Sequence, residues 1–413
     1  MPTKKRNIGR RTFIGGAAGT TLGVMAAPRL ATGVLGANER VVLGIIGAGG
    51  MGRNNHMNGF RKKGAVFAAV CDVYEPNRDE AIKLAKRGNP NEVKGYNEHE
   101  KLLERKDLDA VVIASPEHWH HDHLIDTVRA GKDAYSEKPM SWSIEEGANM
   151  VREVRKTDRI VQIGMQRRSA PACHEAKELI DTGVLGNVHY VRAEWFWNFS
   201  KTFDGQVDRG KLDWERFRKD RSDMDYTPAR FAWWRYYWPF SGGNVTDQGV
   251  HLMDVVQWFM GVSQPISALQ FGEVYRMEPA DTPDVFNCTF EYPKFMATWT
   301  LCYTNNTWRN SWHITFHGDK ASLGINEAGW RLCDKVDDWK KGMPKAKKES
   351  MPGGVTSTGP HHDNFLACIK TRKQPNATVE TGFQGVRTLH LANIAYHKRK
   401  RAELAADGVT VKV

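Results

Sequence analysis

The chain has 413 residues, 40% of them hydrophobic and 26% charged, with a formal net charge of +11. That length is ample for two domains sharing a large buried core. Six of the positive charges fall within residues 1–37, which hold no acidic residue, so the remainder is about +5 with both signs interspersed, and neither a basic stripe nor a nucleic-acid motif points to a nucleic-acid partner.

The N-terminal segment comes first. Lys4, Lys5, Arg6, Arg10 and Arg11 precede a weakly apolar, small-residue run from Ile14 to Ala27. The run is too short and glycine-rich to cross a bilayer, and no other stretch approaches the ~18 apolar residues of a span. Gly9-Arg10-Arg11-Thr12-Phe13-Ile14 resembles a twin-arginine export signal, which addresses folded proteins across a bacterial inner membrane. Residues 1–37 are expected to be that signal and the mature protein to be periplasmic, without stable membrane insertion. A basic disordered tail is the alternative. Cys71, Cys173, Cys288, Cys302, Cys333 and Cys368 stand far apart with no C-x-x-C pair. A protein folded before export is built in a reducing cytoplasm, so free thiols and no metal site are expected.

Residues 38–165 read as a nucleotide-binding domain. The apolar run Val41–Ile46 leads directly into Gly47-Ala48-Gly49-Gly50-Met51-Gly52, a G-x-G-x-x-G pattern. Asp72 stands twenty positions past Gly52, at the end of a second apolar run, Val66–Cys71. The first glycine permits a tight strand-to-helix turn, the second a close approach to pyrophosphate, and the third tight packing of helix on strand. The free N–H groups at the helix start hold the phosphate charge. Asp72 is placed to bond ribose hydroxyls and to repel a 2′-phosphate, which favours NAD over NADP.

Further runs at Ala110–Ala114, Asp133–Ser136 and Ile160–Met165 alternate with helical patterns at Asn77–Arg87, His121–Ala130 and Ser143–Lys156. Such alternation predicts a doubly wound parallel sheet of the Rossmann type. Ser143 with Glu146 makes a capping box, and Gly131 follows a helix end. Ligands bind such sheets at the carboxyl ends of their strands. Three segments fall there: Ala114–His120, Ser136–Pro139 and Gly164–Arg168. They bring Ser115, Pro116, Trp119, His120, Glu137, Lys138 and Gln166 to the cofactor side, and Arg168 towards substrate. Lys138 taken alone reads equally as a surface ion pair with Glu137.

Residues 166–385 follow a different pattern. A helix at Ala172–Thr182 leads to a β-run at Val188–Phe196, an aromatic-rich stretch (Trp195–Pro239) and a helix near Gly249–Met260. Strand-like runs then follow without helices between them: Ile266–Tyr275, Val285–Tyr292, Ala297–Tyr303, His313–His317, Ser322–Ile325 and Trp330–Cys333. An α+β domain with an open, mostly antiparallel sheet is expected. Residues 334–360 read as a solvated loop, His361–Lys370 and Gly382–Arg401 as helices, and 386–413 as a terminal helix and tail. Within Gly242–Asp254, Asp247 and His251 are four apart, which puts both on one face of a helix. A carboxylate beside an imidazole raises its basicity and fixes its tautomer; a capping Asp beside a satisfied buried His is the plain alternative.

These motifs together resemble the Gfo/Idh/MocA oxidoreductases: G-A-G-G-M-G at 47–52, S-P-x-x-x-H at 115–120, E-K-P at 137–139 and G-G-x-x-x-D-x-G-x-H-x-x-D at 242–254. The resemblance covers about residues 38–402. It implies a Rossmann domain followed by the open sheet domain, with Lys138 near nicotinamide and substrate and Asp247 and His251 as the other polar catalytic groups. Ser115 and Glu117 replace the commoner Thr and Asn or Asp.

Hydride transfer requires an alcohol C–H aimed at the nicotinamide and a base for the O–H proton. His251 is the first choice, with Lys138 stabilising the oxygen or itself acting as base, and Asp247 orienting substrate or His251. Trp195, Trp197 and Trp234 offer flat apolar walls to a sugar or polyol; filling a core or a subunit interface is their alternative role, and a homo-oligomer, dimer or tetramer, is expected. Three functions follow: a sugar or polyol oxidoreductase with tightly bound NAD, a redox-assisted glycoside hydrolase that oxidises, eliminates, hydrates and re-reduces, or a non-catalytic sugar-binding protein.

Overall fold

Apolar runs without polar alternation are stable only where both faces of a sheet are covered. The computed structural model describes residues 40–87, 89, 92–199, 206–221, 224–306, 313–335 and 345–413; the expected signal segment lies outside them. Strands β1 (Val42–Ile46), β2 (Val66–Cys71), β3 (Lys94–Tyr96), β4 (Ala110–Ile113), β5 (Asp133–Ser136) and β6 (Val161–Ile163) form a parallel sheet in the order β3-β2-β1-β4-β5-β6. The order reverses between β1 and β4, and the crevice at that switch point receives the glycine turn and the Ala114–His120 segment. The three-residue β3 is partly polar and gave no sequence signal. Among the helices, Ile144–Arg155 is capped as expected: Glu146 N–H donates to Ser143 Oγ at 3.1 Å.

The second sheet has ten strands: β7 (Val188–Phe196), β8 (Ser267–Glu273), β9 (Val285–Glu291), β10 (Met296–Cys302), β11 (Ile314–Gly318), β12 (Ala321–Ile325), β13 (Trp330–Asp334), β14 (Ala346–Ser350), β15 (Ala402–Leu404) and β16 (Val411–Lys412), in the order β14-β13-β12-β11-β7-β10-β9-β8-β15-β16. Only β7 and β10 pair in parallel. Val191, Phe286, Phe290, Trp299 and Phe316 face inwards beneath the helices Val250–Met260 and Val379–Lys398, whereas Phe271 and Met296 lie on the uncovered face.

Four expectations are corrected. Asp247 ends the short helix Gly243–Asp247 and His251 lies in the next, Val250–Met260, so the two are not on one helix; the glycine at 249 sits in the turn between them. The C-terminal tail is not irregular, because β15 and β16 extend the second sheet at its edge. Residues 346–350 are not loop but an exposed edge strand, whose charged Ala-Lys-Lys-Glu-Ser sequence hides its period. The boundary at 385/386 falls inside the 20-residue helix Val379–Lys398, and the domains are not separate along the chain. Phe365 and Cys368, on the helix Gly359–Thr371, join Phe60 and Tyr135 in the core of the first sheet, and Arg372 pairs with Asp133 at 2.5 Å. Residues 40–413 thus form one unit. All six cysteines are free thiols.

Candidate active site

The glycine turn does what its spacing predicts. Gly47 has φ +87°, and a Cβ there would lie 2.3 Å from the Ser115 backbone nitrogen; a Cβ on Gly52 would lie 2.4 Å from the Gly47 carbonyl oxygen. Gly49, by contrast, has nothing within 4 Å. The middle of the turn is therefore a bare backbone cradle, which suits a pyrophosphate. Asp72 is buried at the rim, where Oδ2 accepts from Ala48 N–H and Oδ1 from Tyr74 N–H at 2.7 and 2.8 Å. Burial raises its pKa, and the two N–H donors partly offset this. The residues fit a dinucleotide: Gly49 and Gly50 for the phosphates, and Asp72 with Asn77 for the ribose end of the same cavity.

The aromatic stretch closes that cavity. Asp213 N–H donates to Val73 O at 3.0 Å, Leu212 bridges Tyr74, and Asn97 donates to Asp213 Oδ2 at 2.7 Å. The Phe217 carbonyl oxygen accepts from Trp119 Nε1 at 2.9 Å and faces His118 Nε2 at 2.7 Å. Trp214, Phe217, Tyr237 and Phe240 form a small core against Val73 and Tyr74. Phe217, Phe231, Trp234 and Arg235 consequently face Gly49 and Asp72 across the cavity.

The polar groups converge beside it. Lys138 Nζ donates to Asp247 O at 2.8 Å and Oδ1 at 2.9 Å, while Arg235 Nε reaches the same Oδ1 at 3.3 Å. Burial pushes the Asp247 carboxyl up, but Lys138 and Arg235 overcome it and hold the group well below the usual range. His251 sits at about 3, lowered by burial and then by Lys138 and Arg167, against Asp247 and Glu137. Its Nδ1 is buried without a partner. Glu137 lies 2.9 Å from His56 Nε2; burial raises its carboxyl, but His56 and Lys138 leave it at about 2. A neutral imidazole, a cation and a fixed carboxylate thus meet at the carboxyl ends of the parallel strands, an arrangement suited to moving one proton to or from an oxygen.

Models of two domains match this chain: "oxidoreductase family, NAD-binding Rossmann fold" over residues 41–165 and "oxidoreductase family, C-terminal alpha/beta domain" over 177–404. The chain belongs to the Gfo/Idh/MocA family. Its first domain binds NAD. Over 160 residues it is 37% identical to scyllo-inositol 2-dehydrogenase (NAD(+)) of Bacillus subtilis, covering 39% of this chain and 37% of that one. Over 175 residues it is 29% identical to glycosyl hydrolase family 109 protein 1 of a Shewanella species, covering 37% and 38%. The match therefore spans less than half the length of these curated relatives. Levoglucosan dehydrogenase, solved with NADH and levoglucosan, shares the fold at TM-score 0.68 and 16% identity, covering 88% of this chain and 99% of that one.

Within this Gfo/Idh/MocA chain the expected site residues divide. Ser115, Pro116 and Trp119 line the cofactor cavity with Gly47, Gly49, Gly50 and Asp72. Met51 borders the turn at 36% exposure. Gln166 starts the short helical turn Gln166–Ser169 and is not on the cavity wall. His120 has a stapling role: its ring nitrogens face Pro139 O at 2.6 Å and Ser115 O at 2.8 Å, tying the turns after β4 and β5 together. Arg168 is committed to Asp254 at 2.7–2.9 Å and to the Trp258 ring, so its guanidinium does not face substrate. Trp195 stacks on His313, Trp197 is 45% exposed against Tyr303, and Trp234 belongs to the cofactor cavity.

Sequence reading missed Arg167 and Arg235, neither of which lies in a recognisable motif, and the role of Glu117. Glu117 is fully buried and accepts from Ser241 Oγ at 2.8 Å, Gly242 N–H at 3.2 Å and Thr246 Oγ1 at 3.4 Å. It thus pins the Gly242–Thr246 turn that carries Asp247. Burial raises its carboxyl to about 8 despite the Ser241 and Gly242 donors.

Proposed function

We propose that this protein is an NAD-dependent oxidoreductase acting on a CH–OH group of a sugar, polyol or sugar derivative. The observation that carries the reading is the pairing of Lys138 with Asp247, within electrostatic reach of His251 and joined through Arg235 to the wall of the cavity that holds the glycine cradle. NAD supplies the hydride acceptor. Lys138 holds the reacting oxygen, His251 offers a neutral imidazole to its proton, and Asp247 fixes Lys138 in place. Asp72 favours NAD over NADP by repelling a 2′-phosphate. Phe217, Phe231 and Trp234 along one wall of the cavity support a cofactor that stays bound through turnover.

Such enclosure also favours a second reading, a redox-assisted glycoside hydrolase in which the cofactor returns to its starting state each cycle. The similarity to a family 109 glycosyl hydrolase supports it. The purified protein decides between them when sugars and nitrophenyl glycosides are offered without added NAD. An oxidoreductase leaves the bound cofactor reduced; a hydrolase releases nitrophenol with no net reduction; neither signal sinks both readings.

Export by the twin-arginine route, suggested by Arg10-Arg11, belongs with this reading, since a cofactor carried inside the folded protein suits a compartment poor in free NAD. The uncovered sheet face with Phe271 and Met296 is our candidate for pairing with a second copy, which sedimentation of the Phe271→Lys variant tests.

A further inference from the structure

We propose that the sugar accepted at this site carries a carboxylate and that Arg167 receives it; the proposal rests on the oxidoreductase reading above. Arg167 is 2% exposed, and its Nε and Nη1 are buried without a hydrogen-bond partner. Its remaining nitrogen is only 3.4 Å from His313 Nδ1, at the limit of a hydrogen bond. An isolated guanidinium in a protein interior is strongly unfavourable, and buried charges are as a rule paired. The adjacent Arg168 holds Asp254 in a direct salt bridge, whereas Arg167 makes no such bridge among the described residues.

The position of this unpaired cation matters. Arg167 lies just past β6, at the same strand end as Lys138, and its charge acts on His251. Charges around the reacting position do not balance. Asp247 is one carboxylate shared by Lys138 and Arg235, and Glu137 is engaged by His56. Arg235 is 38% exposed, so water solvates it; Arg167 is buried, and Glu327 and Asp254 act on it only from beyond salt-bridge distance. A single negative group would give the unpartnered Nε and Nη1 an acceptor. A carboxylate carries one charge, whereas a phosphate dianion carries two. His313, which approaches Arg167 at 3.4 Å, is covered by the Trp195 ring at 4.9 Å, so a flat apolar surface suited to a sugar ring adjoins the charge. A carboxylate there also offsets one of the two cations that depress His251 and so makes it a better proton acceptor.

The test offers the purified holoprotein uronic acids, their neutral parent sugars and the matching sugar phosphates, each free and as nitrophenyl glycosides, and follows bound-cofactor reduction and nitrophenol release. Uronates are expected to exceed the neutral parents in kcat/KM by roughly 100-fold or more, the usual scale for a buried charge pair. In Arg167→Met that ratio is expected to fall towards one, while the ligand-free variant melts no lower than the parent because an unpaired buried charge has been removed. A variant that melts lower would make Arg167 a structural cation and overturn the assignment. Neutral sugars that match uronates in the unaltered protein overturn the carboxylate while leaving the oxidoreductase reading standing, and so do sugar phosphates that surpass them. If no sugar of any class gives either signal, the oxidoreductase reading falls and the carboxylate with it.

Discussion

Lys138 and Asp247, 109 residues apart, are joined twice: the lysine ammonium donates to both the backbone oxygen and Oδ1 of the aspartate. The double contact locks the E-K-P turn of the first sheet to the Gly243–Asp247 helix of the second domain. Neither residue can be removed without disturbing the other.

Lys138→Ala and Asp247→Ala should each lower kcat by roughly 100-fold or more, as losing a preorganised donor to a reacting oxygen does. Their double variant should be little worse than either, because groups acting as a unit fail together. Steady-state rates on a turned-over sugar give the answer; losses that simply multiply would count against one shared site.

Acid should destabilise the fold well before its surface carboxylates titrate. Burial is the leading cause that lowers His118, His251 and His362 to about 3 and His361 to about 4, from an ordinary 6.5. Between those values the unfolded chain binds more protons than the folded one, so stability is full above about 6.5 and is lost as pH falls. Melting temperature should drop steeply from pH 6.5 to 4, and His118→Phe should flatten part of that slope; an unchanged slope in the variant would remove His118 from the account.

Glu117 predicts the opposite limb. Its folded value of about 8 exceeds the ordinary 4.5, so the folded state holds a proton that the unfolded chain loses between those values, and stability falls as pH rises through that window. Glu117→Gln should keep the Gly242–Thr246 turn and remove this alkaline loss, whereas Glu117→Ala should lower kcat as well as stability, by about 1–3 kcal/mol for stranded donors. Equal kcat in the Gln and Ala variants would show that the clamp does not position Asp247.

Asp72→Ala should weaken NAD and narrow its advantage over NADP, and should also strand the Ala48 and Tyr74 N–H groups at about 1–3 kcal/mol of stability. Calorimetric titration with both dinucleotides checks this, and an unchanged NAD/NADP ratio would dismiss Asp72 as the discriminating group.

For export, replacing Arg10 and Arg11 by lysine should leave the protein in the cytoplasm of a bacterial host. Fractionation that still finds it in the periplasm would rule out the twin-arginine route.

What the sequence determined by itself is local. Turn chemistry and strand period are written in neighbouring residues, so the glycine cradle, Asp72, the capped helix after Ser143 and strands β7–β13 of the open sheet were legible. The parallel, doubly wound character of the first sheet followed from the alternation of runs, and the candidate roles of Lys138, Asp247 and His251 from motifs of fixed spacing. Edge strands such as β3 and β14 were not legible, because their exposed polar residues carry no hydrophobic period. Only the tertiary structure decided which arginine is paired: Arg167 and Arg168 are adjacent and alike in sequence, yet Arg168 bridges Asp254 and Arg167 has no carboxylate within hydrogen-bond reach among the described residues. Likewise the tryptophan-rich stretch, read as a substrate wall, core or interface, became a cover for the cofactor cavity because Leu212 and Asp213 happen to pair with Val73 and Tyr74. Partners that lie a hundred or more residues away are set by packing, and no local pattern in the chain encodes them.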